Sequence, residues 1–386
     1  MDTSMRNAAA KKAVMLGAGC VGRGFIGQLL YEWGFETTFV DIDEQLVSLI
    51  NEYREYPITL LSDDLEETYA VRNVHALNII RTDDVARAVC DADLMAISVG
   101  TNALTAVAGT VAKGIKLRCD RQGPPLNILI CENLLNAQAY LGKLLLAHLP
   151  GRYGAFFAEK IGLVETTIGR MIPVQTPLMK LHHPLSIHAE SYCELPADRD
   201  AFKGDVPQYP HLRPYSPFVF YVRRKMYIHN MGHTAAAYLG IRKGYTFIWE
   251  AILDSTIRET VTLAMLESAQ ALSKAYGVPF LSLREHVHDL LLRFGNKRLG
   301  DTLARVGRDL PRKLGGDERF FGAARFCQEQ GVGNENILKC LQAALLAEEA
   351  EKALSLEELR KMADIIIQGG TYPNNTSSHE QNGGRV

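Results

Sequence analysis

The 386-residue chain has little that would tie it to metal, membrane or nucleic acid. Its seven cysteines (Cys20, Cys90, Cys119, Cys131, Cys193, Cys327, Cys340) are scattered and odd in number, and no two form a C-x-x-C pair. That leaves no pattern for structural zinc and none for a disulfide framework. The formal net charge is −2, without the basic excess that a nucleic-acid or anionic-membrane surface calls for. No run of about 18 apolar residues occurs, and residues 1–7 lack the apolar centre of a signal peptide. These absences set the expectation of a soluble, cytoplasmic protein with no nucleic-acid or membrane partner. What remains is an ordinary globular composition, 47% hydrophobic and 22% charged, in a length sufficient for two cores.

After a polar leader (residues 1–11), Ala13-Val14-Met15-Leu16 reads as a buried strand that ends in glycine. Gly17-Ala18-Gly19-Cys20-Val21-Gly22 follows at once and leads into apolar residues at helical spacing. This is G-x-G-x-x-G in strand–turn–helix context. It supplies a tight turn, close backbone approach to a pyrophosphate, and free amide N–H groups facing the anion. Thr37-Thr38-Phe39-Val40-Asp41 is a second β-type run, ending in an acid 22 residues after Gly19. A carboxylate there accepts from a ribose 2′-hydroxyl and repels a 2′-phosphate, so NAD is the expected cofactor rather than NADP.

Further β-type runs at Leu77–Ile80, Leu94–Val99 and Leu126–Cys131 alternate with helical patterns. The expected fold is therefore α/β, an N-terminal Rossmann-type doubly wound parallel sheet over residues 12–195, with extra strands such as Leu185–Ala189. Ligands in such sheets sit beyond the carboxyl ends of the strands, which nominates Ser98, Val99 and Gly100, and Glu132 with Asn133, for the nicotinamide side. The other reading of Asn133 is a helix N-cap. Proline and charge mark residues 196–217 as a connection, and helical periodicity then dominates an all-helical domain at 218–368. The polar tail 369–386 is expected to be disordered.

Lys225-Met226-Tyr227-Ile228-His229-Asn230-Met231-Gly232-His233 gathers an amine, a carboxamide and an imidazole within nine residues. On a regular helix Asn230 and His233 lie about 60° apart, with Lys225 about 80° beyond His233, so all three can face one cleft. Such a set suits proton abstraction from a secondary alcohol. Burial or a neighbouring cation would bring the lysine toward neutrality as a base, and Asn230 and His233 would donate hydrogen bonds to the reacting oxygen. By contrast, His286-Val287-His288-Asp289 lacks the i, i+4 spacing of a two-histidine metal helix and reads as a solvated face.

In order and spacing, these stretches resemble the polyol-specific long-chain dehydrogenases. The similarity spans nearly the whole chain and is carried by Gly17–Gly27, Cys131-Glu132-Asn133, the K-x4-N-x2-H set with Gly232, Tyr238-Leu239-Gly240, and Arg293-Phe294-Gly295-Asn296 through Asp301, Arg305 and Arg308 to Arg312-Lys313. The resemblance implies a metal-independent enzyme in which Lys225 is the general base and Asn230 and His233 polarise the substrate oxygen. It further implies that Asn133 touches the reacting end of the substrate and that Glu132 modulates proton exchange. Arg305 and Lys313 match positions that bind substrate oxygens. With Arg308 and Arg312 they make four cations in nine residues, suited to an anionic sugar phosphate. Gly169 and Leu195 depart from the family pattern, which keeps open a hexuronate or an unphosphorylated polyol as substrate. A non-catalytic NAD(H) sensor is the alternative of another class. Nothing in the sequence chooses between monomer and dimer.

Overall fold

In a computed structural model, which describes residues 10–62, 66–134 and 136–348, the chain divides into two compact units, one up to Val222 and one from Arg223. The first contains β1 (Lys11–Leu16), β2 (Phe35–Asp41), β3 (Glu55–Leu61), β4 (Glu66–Arg72), β5 (Val74–Asn78), β6 (Leu94–Ile97), β7 (Leu126–Ile130), β8 (Ile161–Glu165), β9 (Ile187–Glu190), β10 (Leu195–Asp198) and β11 (Leu212–Tyr215). Its main sheet has the order β5-β2-β1-β6-β7-β8, and every pairing in it is parallel. Helices α1 (Gly27–Glu32), α2 (Glu44–Tyr53), α3 (Thr82–Asp91), α4 (Thr101–Asp120), α5 (Ala137–Ala147) and α6 (Gly154–Lys160) connect and cover the strands.

The two-residue side-chain period of the strands decides which layer each residue joins. Ala13, Met15, Ala96 and Leu129 enter one buried cluster, while Val14, Leu16, Met95, Ile97, Ile128 and Ile130 enter the other. Both faces are covered, so these strands read as continuous apolar runs. From β1 the chain proceeds outward to β2 and β5, then returns to place β6 on the other side of β1. The point where strand order reverses lies between β1 and β6. Gly17 and Ser98 follow those two strands directly.

A smaller sheet, β4-β3-β9, joins an antiparallel hairpin to a parallel strand. The hairpin is hard to read locally, because Pro57, Glu66 and Glu67 interrupt its apolar alternation. Residues 196–217, expected as a connection, carry most of β10 and all of β11, and they bury Ala197, Ala201, Phe202 and Leu212 in the core of the first unit. Lys11, assigned to the polar leader, already pairs with Phe35.

After α7 (Val219–Arg224) the described residues of the second unit are helical apart from one isolated bridge between Phe247 and Thr302. It comprises a π-helical turn at Lys225–Asn230, α8 (Met231–Arg242), α9 (Ile248–Leu253), α10 (Ser255–Tyr276), α11 (Phe280–Phe294), α12 (Leu303–Gly307), α13 (Leu310–Lys313), α14 (Phe321–Glu329) and α15 (Glu335–Glu348). α8 is the central element, packed against α9, α10, α12 and α15. Close packing depends on Gly240, where a Cβ would stand 2.8 Å from Leu303 Cδ1 and 2.9 Å from Ala251 Cβ. The helical pattern at 355–367 and the tail 369–386 lie outside the described residues. Among the described residues no helix is long and apolar enough to cross a membrane. All seven cysteines are free thiols.

Candidate active site

The glycine loop is shaped by backbone packing. Gly17 has φ +94°, and a Cβ there would meet the Ser98 carbonyl oxygen at 2.2 Å; one on Gly22 would meet the Gly17 carbonyl oxygen at 1.9 Å. Neither position tolerates a side chain. At Gly19 the opposite holds, since a Cβ would meet nothing within 4 Å. Gly19 and Cys20 are exposed and Val21 is half-buried, which leaves the middle of the loop open to a ligand. At the end of β2, Asp41 accepts from the Ala18 amide at 2.7 Å, while Asp43 caps α2 by accepting from Leu46. One acid thus joins the loop and the other closes a helix.

The loops after β6 and β7 are tied together by Glu132, whose Oε1 accepts from the amides of Val99 (2.7 Å) and Gly100 (2.9 Å). Burial raises the Glu132 carboxyl above the ordinary range, against the opposing pull of those two amides. Asn133 is exposed. It is not the N-cap of the following helix, because α5 starts at Ala137 and its N-cap is Asn136. The departures at Gly169 and Leu195 fall among structural contacts: Leu195 is fully buried, and the neighbouring Arg170 donates to the carbonyls of Glu190 and Gly24 and to Gln28 Oε1.

In the second unit the regular-helix geometry expected around Lys225 does not hold. Lys225–Asn230 is a π turn, in which the Met231 amide donates to the Met226 carbonyl five residues back. Residues five apart therefore stack along one face, whereas on an α-helix they diverge by about 140°. The inserted residue brings Lys225 and Asn230 onto a common side. Asn230 Nδ2 also lies 3.8 Å from Met226 Sδ, a weak contact. Lys225 is lowered from its ordinary value to about 8, first by burial and then by the positive charge of Arg319.

His233 lies in the first turn of α8. Its ring stacks on Phe294 at 4.8 Å between centroids, and its Nε2 lies 3.1 Å from Asp301 Oδ2, close but not aligned as a linear hydrogen bond. Arg305 meets the same carboxylate, with Nε 2.7 Å and Nη2 2.6 Å from Oδ1. Burial alone would raise the Asp301 carboxyl, but His233 and Arg305 together outweigh it and hold it below the usual range. Beside this pair, burial, Arg293 and His233 keep the His229 imidazole far below its ordinary pKa. His286 corrects its expectation of a solvated face: it is half-buried, and burial with Arg224 and Arg293 holds its imidazole well below the ordinary pKa.

The four cations of the basic run are not equivalent. Arg308 and Arg312 are exposed, and Arg312 pairs with Asp309 and, at 3.4 Å, with Glu318. Lys313 is buried and donates to the carbonyls of Val306 and Arg308. Burial and then Arg319 lower its amine to about 8. Arg319 itself was not among the expected residues. It stands six positions beyond the basic run, between Glu318 and Phe320, and its burial has no local signature in the sequence. One grouping of metal-ligating types occurs among the described residues, Glu32, Cys193 and His211 in the first unit, with ligand atoms within 4.8 Å. Burial pushes the Cys193 thiol up to about 11 and the Arg170 charge bears on it, an environment ill suited to a cation.

Known proteins match along the whole arrangement. The family model for the mannitol dehydrogenase Rossmann domain matches residues 11–211, and that for the mannitol dehydrogenase C-terminal domain matches 218–359. The mannitol-1-phosphate 5-dehydrogenase of Thermoanaerobacter pseudethanolicus is 36% identical over 340 residues, covering 87% of this chain and 85% of that one. Its counterpart from Caldanaerobacter subterraneus is 34% identical over 359 residues, with 93% and 91% coverage. A substrate-free D-sorbitol dehydrogenase superposes with TM-score 0.76 at 16% identity. The ternary complex of Pseudomonas fluorescens mannitol 2-dehydrogenase with NAD and D-mannitol gives 0.72 at 16%. Each covers 93% of this chain and 86% of its own, and at that identity the likeness is one of fold. With both domain models matched in order, the chain belongs to the mannitol dehydrogenase family.

Proposed function

We propose that the protein is a cytoplasmic, NAD-dependent oxidoreductase that interconverts D-mannitol 1-phosphate and D-fructose 6-phosphate without a metal, with Lys225 as general base. The observation that carries this reading is the state of Lys225, an amine lowered to about 8 within a π turn that also carries Asn230. A base with a pKa near the working pH combines adequate basicity with a useful neutral fraction. The names of the relatives support the substrate, and the buried Lys313 and half-buried Arg319 support a charged one.

The glycine loop fits a dinucleotide. Gly17 and Gly22 hold a turn that side chains would break, Gly19 leaves room for the pyrophosphate, and Asp41 offers a carboxylate for the adenosine ribose. Bound NAD supplies the hydride acceptor. Lys225 takes the hydroxyl proton on Nζ, while Asn230 Nδ2 and His233 donate to the substrate oxygen as it becomes a carbonyl. Asp301 orients His233, and in reduction Lys225 returns the proton. Asn133 contacts the reacting end of the substrate, and the basic segment of Arg305, Arg308, Arg312 and Lys313 supplies at least one partner for the phosphate. Glu132 orders the loops bearing Ser98, Val99 and Gly100 around the cofactor.

A sensor would need the glycine loop and Asp41 but has no use for a lysine lowered toward neutrality. The test is NADH oxidation by the purified protein with fructose 6-phosphate, fructose, tagaturonate and fructuronate offered separately. Turnover is expected with fructose 6-phosphate. Turnover with a hexuronate or fructose alone would remove the phosphorylated substrate, and NADH binding without turnover of any of the four would favour the sensor.

A further inference from the structure

The cation that acts on Lys225 lies outside the basic run and is poorly neutralised. The Arg319 side chain is only 12% exposed. Its Nη1 donates to Thr234 Oγ1 at 3.1 Å, and Thr234 directly follows His233 on α8. Its other contacts are long: Nη2 and Nε lie 3.3 and 3.4 Å from one oxygen of Glu318. Charge-assisted pairs normally close to about 2.7–2.9 Å. Glu318 is shared besides, since Arg312 reaches its other oxygen at 3.4 Å. Arg312, Lys313 and Arg319 thus have two carboxylates between them, Asp309 and Glu318, and the two most buried of the three cations are the least well paired. An excess of desolvated positive charge is costly unless an anion completes it.

The position of this charge matters as much as its amount. Arg319 is the leading cationic neighbour acting on both Lys225 and Lys313, so its charge is felt by the expected base and by the buried end of the basic run alike. A planar guanidinium presents a fork of donors that matches phosphate oxygens, and Arg319 uses that fork only loosely here.

Resting on the dehydrogenase reading above, we propose that Arg319, with Lys313, is the anion-recognition group that selects a phosphorylated sugar over its unphosphorylated counterpart. Arg305 is committed to Asp301, and Arg308 and Arg312 are solvated, so these three contribute at most to steering.

The experiment compares the full-length wild type with Arg319→Lys and Arg319→Gln. The readouts are the kinetics of NADH oxidation with fructose 6-phosphate and with fructose, and the shift in Tm produced by inorganic phosphate. Losing a charge-assisted phosphate contact is expected to raise KM for fructose 6-phosphate about ten- to a hundredfold. The preference over fructose should shrink accordingly, and phosphate should stabilise the wild type but not Arg319→Gln. Arg319→Lys keeps the charge without the fork and should fall between them. It also reads the same ratio if the glutamine variant does not fold. An undiminished preference in either variant overturns the assignment, as does an equal loss on both substrates, which would mark a structural role. A wild type that ignores fructose 6-phosphate but reduces a hexuronate sinks the parent reading, and this one with it.

Discussion

The state of Lys225 predicts a specific pH dependence. At pH 7 an amine with pKa about 8 is neutral in about one molecule in eleven, whereas the ordinary 10.5 would leave about one in three thousand. The surroundings of Lys225 therefore raise the supply of base at pH 7 about three-hundredfold. For oxidation of mannitol 1-phosphate, log kcat/KM should climb with unit slope from pH 6.5 and level off near pH 8. The second ionisation of the substrate phosphate, at about 6, lies well below that bend. Lys313 is lowered to about 8 as well, so the assignment needs two variants. Lys225→Ala should lose about a hundred- to ten-thousandfold in kcat and abolish the limb, while Lys313→Gln should raise KM and keep it. Initial rates from pH 6 to 10 at saturating NAD decide the matter. An inflection near 10 in the wild type, or one near 8 that survives in Lys225→Ala, would show that the reasoning about burial and Arg319 is wrong.

The same shift has a sign in stability. Because the folded pKa of Lys225 is below its unfolded value, the unfolded chain binds more protons between about pH 8 and 10.5. The lysine therefore costs stability at pH 7, and the cost is relieved as pH rises through that window. Lys225→Met should raise Tm by a few degrees at pH 7 and by less at pH 10; calorimetry showing a lower Tm at both would refute this. Asp301→Asn should reduce kcat about ten- to a hundredfold, because it frees the imidazole of His233 and releases Arg305. Unchanged steady-state constants would remove Asp301 from the account. Asp41→Ala should raise the Kd of NADH about tenfold or more in a fluorescence titration and narrow the preference over NADPH, whereas equal affinities in variant and wild type would detach Asp41 from the cofactor.

Most of the first unit could be read from the sequence because its signals are local. Four-residue apolar runs, a glycine loop and an acid at a strand end each report on a few neighbouring residues, and the strands β1, β2, β6 and β7 lie where those signals stand. The hairpin of β3 and β4 and the pair of β10 and β11 escaped notice because charge and proline hide their alternation. Their strands are held by partners distant in the chain. The helical pattern of the second unit was equally visible, but its local geometry was not.

By itself, the sequence determined the residue types of the site and the family to which the chain belongs, because spacing along the chain is enough to recognise K-x4-N-x2-H and G-x-G-x-x-G. Only the tertiary structure decided what those residues can do. The π turn that aligns Lys225 with Asn230 is a one-residue change in hydrogen-bond pattern with no signature in side-chain periodicity. The lowered state of Lys225 comes from burial and from a cation 94 positions away. Asp301 joins His233 to Arg305, and Arg319 stands apart from the solvated arginines, because folding desolvates some charges and leaves others in water. Charge is written in the sequence, but the dielectric around it is made by the fold.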